Sequence, residues 1–140
     1  MRFEAIKTQE EWDWVEERVG HRNSQAQGIV AYDNLGQMCA GFYADGFSSD
    51  CCRVHLAIDN PAVIRRGFIH ECLGYVFGTC KMSRVFGVVD SNNSKALKFI
   101  HHIGFRAIAH LPEWYYSGIT HIVMRMDADN NRWYQQETIQ

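Results

Sequence analysis

The chain has 140 residues, 46 % hydrophobic and 13 % aromatic, with a formal net charge of −2. That length suits one domain with a real core, and the apolar content excludes a disordered polymer. The near-neutral charge gives no global field for nucleic acid, and the apolar runs are too short to cross a bilayer.

Arg2 to Lys7 alternates and predicts a short first strand. Thr8 with Glu11 three residues later forms a capping box, which opens a helix through about Val19 with Trp12, Val15 and Val19 on one face. A polar loop from Gly20 leads to apolar runs at Gly28–Tyr32 and Gln37–Ala44, which flank Asp33-Asn34-Leu35-Gly36 and predict a hairpin. After a connection from Asp45 to Asp50, Cys51–Ile58 reads as a strand. Asp59-Asn60-Pro61 then precedes a helix predicted as one piece from about Ile64 to Gly78.

A valine-rich strand is predicted at Arg84–Val89. Asn93 caps the next helix and Gly104 ends it, with Ala96, Phe99, Ile100 and Ile103 on one face expected to be buried. A strand from Phe105 to about Leu111, an aromatic loop at Pro112–Gly118 and an alternating strand at Ile119–Met126 complete the pattern. No repeat or linker divides the chain, so 1–140 reads as a single domain. Its polar tail at 127–140 is expected to be partly disordered, with Trp133, Tyr134 and Ile139 available to dock. The strand–helix–strand unit at 51–90 favours a right-handed crossover and so a parallel pair within a mixed sheet. The fold class is α+β.

The five cysteines are odd in number and lack Cys-x-x-Cys spacing, which predicts free thiols, no metal site and a reducing cytoplasm. No basic-then-apolar leader precedes the first helix. Charge is uneven: residues 1–19 hold six acids and three bases, whereas 50–106 hold eight bases and four acids. That central excess of bases suits a polyanionic ligand, or is a solvated surface.

Two segments carry more specific signals. Asn93-x-x-Ala96, seven further residues and then Gly104-Phe105 form the first. The second joins the strand ending at Ile58 to a helix start through Pro61, Arg65, Arg66 and Gly67. Orphan amides at a helix start suit a pyrophosphate, the glycine permits close approach and the arginines add charge. Together, at this separation and with a strand between, the two segments resemble the acyl-CoA site of the GNAT superfamily of N-acyltransferases. The element order is similar to that fold over nearly the whole chain.

The resemblance implies a mostly antiparallel sheet with one parallel pair splayed around the cofactor. It implies acetyl-CoA as co-substrate, held by Ala57, Ile58, Ile64, Arg65, Arg66, Gly67, Phe68, Ile69, Asn93 and Ala96, with a backbone amide around Ala57–Asp59 facing the acyl oxygen. Two positions depart from the family pattern: Ile64 stands where Gln or Arg is usual, and Ile69 where a small residue is usual. A third is Ile100, at the place of the tyrosine general acid. His55, three residues before the strand's end, is the candidate base, since imidazole accepts a proton near neutrality. A structural histidine on the sheet is the plain alternative, and His121 and Asp45 are weaker candidates. Trp114, Tyr115 and Tyr116 are candidates for the acceptor pocket, a dimer interface or core closure.

The leading expectation is an acetyl-CoA-dependent N-acetyltransferase that transfers by direct attack of a primary amine in a ternary complex. The acceptor would be an amine-bearing small molecule or a protein, with no nucleic acid or membrane partner and with room for a homodimer. The alternatives are a catalytically reduced CoA-binding or interaction module of the same fold, or a nucleobase-modifying relative.

Overall fold

The computed structural model describes residues 1–114 and 116–135. Seven strands form one sheet in the order β1-β2-β3-β4-β5-β7-β6. Strand β1 (Arg2–Ala5) pairs antiparallel with β2 (Gln27–Tyr32), β2 with β3 (Met38–Asp45), and β3 with β4 (Cys51–Ile58). Strand β4 runs parallel to β5 (Arg84–Asp90). Strand β7 (Thr120–Asp127) then inserts between β5 and the edge strand β6 (Arg106–Pro112). The expected mixed sheet with one parallel pair is what forms.

Local chemistry sets the first half. The Thr8 hydroxyl accepts from the Glu11 amide at 3.1 Å, and the Glu11 carboxylate accepts from the Thr8 amide at 3.0 Å. This box starts helix α1 (Gln9–Val19). Val15, fully buried, packs where Gly41 of β3 leaves room: a Cβ on Gly41 would stand 2.4 Å from the Val15 methyl. In the β2–β3 hairpin, Asp33 accepts from the amides of Leu35 and Gln37, and Gly36 adopts φ +79°.

The helix expected from Ile64 to Gly78 is in fact broken. A single turn, α2 (Ala62–Arg65), stops at Gly67, whose φ of +92° is left-handed. Helix α3 (Phe68–Gly74) then starts afresh and widens into a π-helical turn over Tyr75–Thr79. The break follows from Gly67 taking a conformation that ends a right-handed helix.

Helix α4 (Ser94–His102) begins where the Asn93 side chain accepts from the Ala96 amide at 3.1 Å. Gly104, at φ +112°, lies just beyond it. The face predicted to be buried is so only at Ile103, while Ala96, Phe99 and Ile100 are half-buried along an open cleft. The reason is non-local: the sheet beneath that face is parted.

Residues after β7 pack back onto the helices. The Trp133 indole donates to the Ile103 carbonyl at 2.5 Å, and the Tyr134 ring lies 5.8 Å from that of Phe77. Ile139 lies outside the described residues. Among the described residues no helix is long and apolar enough to cross a membrane, and no group of His, Cys, Asp or Glu could hold a metal ion.

Candidate active site

Strands β4 and β5 pair only at Cys51–Arg53 with Arg84–Phe86. Beyond that point β4 stays with β3 as far as Ile58, and β5 stays with β7 as far as Asp90. The sheet therefore opens into a V, and the backbone edges of Val54–Ile58 and Gly87–Asp90 face each other unpaired. A cleft of about 640 Å³ fills this V, walled by Ile58 and Leu56 of β4, Val88 of β5, and Ala96 and Ile100 of α4. That volume lies in the range of about 300–1,000 Å³ typical of small-ligand sites.

The ladder identifies which amides face the cleft. The Asp59 amide donates to the Cys39 carbonyl at 2.9 Å, so this end of β4 turns its odd-numbered peptide groups to β3. The N–H groups of Leu56 and Ile58 then point into the V. Consistently, the Val54 carbonyl lies 3.5 Å from where a Cβ on Gly87 would stand. Of the segment Ala57–Asp59 expected to supply an oxyanion donor, only the Ile58 amide is turned to the cleft. Unpaired strand edges of this kind accept an extended, amide-bearing ligand as an added strand.

The residues expected to hold a cofactor divide into four groups. Ile58, Ile64, Ile69, Asn93 and Ala96 line the cleft. Ala57 and Phe68 are buried, Phe68 fully, with its ring edge-on to Phe3 at 5.2 Å, so its side chain serves the core. Arg65 and Arg66 line a separate shallow hollow with Ala62, beside the cleft rather than in it. Gly67 precedes the amides of Phe68, Ile69 and His70, which have no backbone acceptor among the described residues. A Cβ at Gly67 would meet nothing within 4 Å, so the glycine answers to backbone conformation and not to crowding. Ile69 is buried in the core and lines the cleft.

His55 lines the cleft from β4. Its ring stacks on Tyr43 at 4.3 Å, and its Nε2 lies 3.3 Å from Asp45 Oδ1. Burial lowers its pKa below the ordinary value, against the opposing pull of Asp45. Asp45, fully buried at the end of β3, also receives Arg53 Nε at 2.9 Å, Arg53 Nη2 at 3.0 Å and the Asn23 amide at 3.2 Å. Burial alone would raise the Asp45 pKa, but these donors outweigh it and the net shift is downward. Sequence reasoning placed Asp45 among the weak base candidates and missed this role as a hub. The alternation that pairs Asp45 with Arg53 across a hairpin was the available signal.

The remaining candidates lie elsewhere. Trp114 and Tyr116 are each 66 % exposed and do not line the cleft, and Tyr115 lies outside the described residues. His121, on β7, is also away from the cleft lining. Among the described residues no tyrosine lines the cleft, and Ile100 occupies the wall.

No protein-family profile and no curated protein matches this sequence. Solved structures do match in shape. A chimera of spermidine N-acetyltransferase SpeG from Vibrio cholerae with hSSAT superposes with a TM-score of 0.73, over 91 % of this chain and 96 % of its own, at 12 % identity. A point mutant of the same SpeG gives 0.75 over 91 % and 95 %, also at 12 % identity. Mutant forms of the spermidine/spermine enzyme give 0.65 over 76 % and 69 %, at 17 % identity. The chain has the GNAT fold. Within it, the parted β4–β5 pair, Ile64 and Ile69 on either side of the Gly67 turn, and the Asn93-capped helix line one cleft.

Proposed function

We propose that this chain is an acetyl-CoA-dependent N-acetyltransferase that transfers its acetyl group to a primary amine by direct attack. The observation that carries the reading is the V between β4 and β5: unpaired strand edges, a helix start above them and a half-buried histidine in one cleft. Acetyl-CoA supplies an activated thioester and an arm with two amide groups. The edges of Leu56–Ile58 and of Gly87–Asp90 suit that arm, and the amides of Phe68, Ile69 and His70, with Arg65 and Arg66 alongside, suit its pyrophosphate. The Ile58 amide is placed to stabilise charge developing on the acyl oxygen. His55 accepts the proton of the attacking amine, which at pH 7 is otherwise held by a pKa near ~10.4 for an alkyl ammonium.

Direct transfer is favoured over an acyl-cysteine route. Cys72 lines the cleft, but burial raises its thiol well above the ordinary value, so the nucleophilic thiolate is scarce. The structural neighbours' activity toward spermidine makes polyamines the first acceptors to try, followed by other small amines and peptide amines. A cytoplasmic setting accords with the free cysteines.

Ile100 in the wall supports a second reading, a CoA-binding module without turnover, because an apolar side chain stands where the resemblance implies the tyrosine general acid. A thermal shift with acetyl-CoA tests binding, and thiol release against an amine panel tests transfer. Stabilisation with amine-dependent release supports the enzyme, and stabilisation alone supports the module. Neither effect contradicts both.

A further inference from the structure

We infer that Asp45 is a positioning residue that fixes the tautomer of His55, placing the proton on Nε2 and leaving Nδ1 as the atom that accepts from the substrate amine. This rests on the reading of His55 as the base. The geometry comes from β3 and β4 alone. Asp45 Oδ1 stands 3.3 Å from His55 Nε2, and an ionised carboxylate can only accept, so Nε2 must carry the hydrogen. His55 Nδ1 has no hydrogen-bond partner among the described residues, and it is not fully enclosed on a side chain that lines the cleft. It therefore keeps its lone pair within reach of the cleft.

Three other contacts keep Asp45 ionised and aimed. Arg53 holds both oxygens in a fork, and the Asn23 amide adds a donor to Oδ2. The Tyr43 ring lies flat against the imidazole with an interplanar angle of 23°, and its hydroxyl is anchored on the Gly20 carbonyl at 2.7 Å. Tilting the ring breaks the stack on Tyr43, and turning it over exchanges Nε2 for Cε1 and breaks the bond to Asp45. Asp45 and Arg53 are the charges acting on His55, while Glu16 and Arg22 reach Tyr43 from α1 and the loop after it. Tyr43 itself stays neutral, because burial pushes its pKa up to about 12.

The carboxylate's amide counterpart makes a sharp test. In Asp45→Asn, the Oδ2 position faces two donors that cannot switch, Arg53 Nη2 and the Asn23 amide. The Oδ1 position faces only one such donor, Arg53 Nε, beside His55, which can switch. The amide oxygen therefore settles at Oδ2 and the NH2 group turns toward His55. The imidazole must then accept at Nε2 and carry its hydrogen on Nδ1, as a base of the wrong hand. Nitrogen NMR of ring-labelled histidine reads this directly, without any assay. The expected result is a protonated Nε2 and a bare Nδ1 in the wild type near pH 8, with the pattern reversed in Asp45→Asn. Turnover should fall about 100-fold with the KM for acetyl-CoA unchanged. The acid limb of the pH profile should also move to lower pH, since the carboxylate that favours imidazolium is gone.

A wild-type His55 with its hydrogen on Nδ1 overturns the inference, whether or not the variant folds. So does a tautomer that is the same in wild type and in folded Asp45→Asn. An Nε2–H tautomer in a protein whose turnover survives His55→Ala leaves the positioning intact and removes His55 as the base.

Discussion

His55 sits where burial and a buried carboxylate pull in opposite directions, and burial prevails. Because its pKa lies below the ordinary value of about 6.5, the imidazole is neutral at pH 7 and able to accept a proton. In the proposed role of His55 the base is lost as pH falls through that lowered pKa, so turnover should drop on the acid side of about pH 6.5. His55→Gln should remove this limb and lower kcat by about 10²–10⁴-fold. A pH–rate profile of both proteins checks it, and an unchanged limb in the variant assigns the titration elsewhere. Asp45 contributes to stability with the opposite sense of pH. Its folded pKa is depressed, so its stabilisation is complete above the unfolded value of about 3.9 and is lost as pH falls through the folded one. Urea midpoints between pH 3 and 6 should therefore fall less steeply in Asp45→Asn than in wild type.

At the scale of elements, glycines and caps decide what packs. Gly28 on β2 has no space for a side chain: a Cβ there would stand 2.2 Å from the Phe42 carbonyl oxygen. Gly28→Ala should destabilise by about 1–3 kcal/mol, as overpacking does, read as a lower denaturation midpoint. Asn93→Ala removes the cap of α4 and should cost about 0.5–2 kcal/mol. It should also weaken acetyl-CoA binding, since this helix start borders the cleft. Both helix caps were legible in the sequence because the chemistry is local: Thr8 with Glu11, and Asn93 with Ala96, lie three residues apart. The break at Gly67 was half legible, since a glycine among β-branched and charged residues signals a turn without saying that a helix stops there. The open face of α4 was not legible, because Ala96, Phe99 and Ile100 have the periodicity of a core helix. Their exposure depends on two strands parting underneath.

For the whole molecule, function follows from a sheet that fails to close. Strand β4 keeps β3 and β5 keeps β7, and the gap between them becomes a site whose walls are backbone edges. Pairing registers of this kind join residues far apart in sequence, such as Asp90 with His121, and no local pattern encodes them. The burial of Asp45 is hidden for the same reason, since it needs Arg53, His55 and Asn23 to converge. The mixed α+β class was legible from element order, whereas the insertion of β7 between β5 and β6 was not. The central claim is that this open V binds acetyl-CoA and passes its acetyl group to an amine. The most direct test is continuous thiol release from acetyl-CoA, with spermidine and other amines added in turn, for wild type and His55→Ala. Amine-dependent release by the wild type, lowered at least about 100-fold in the variant, is the predicted result. A protein that is neither stabilised by acetyl-CoA nor able to release thiol from it with any amine would contradict the account.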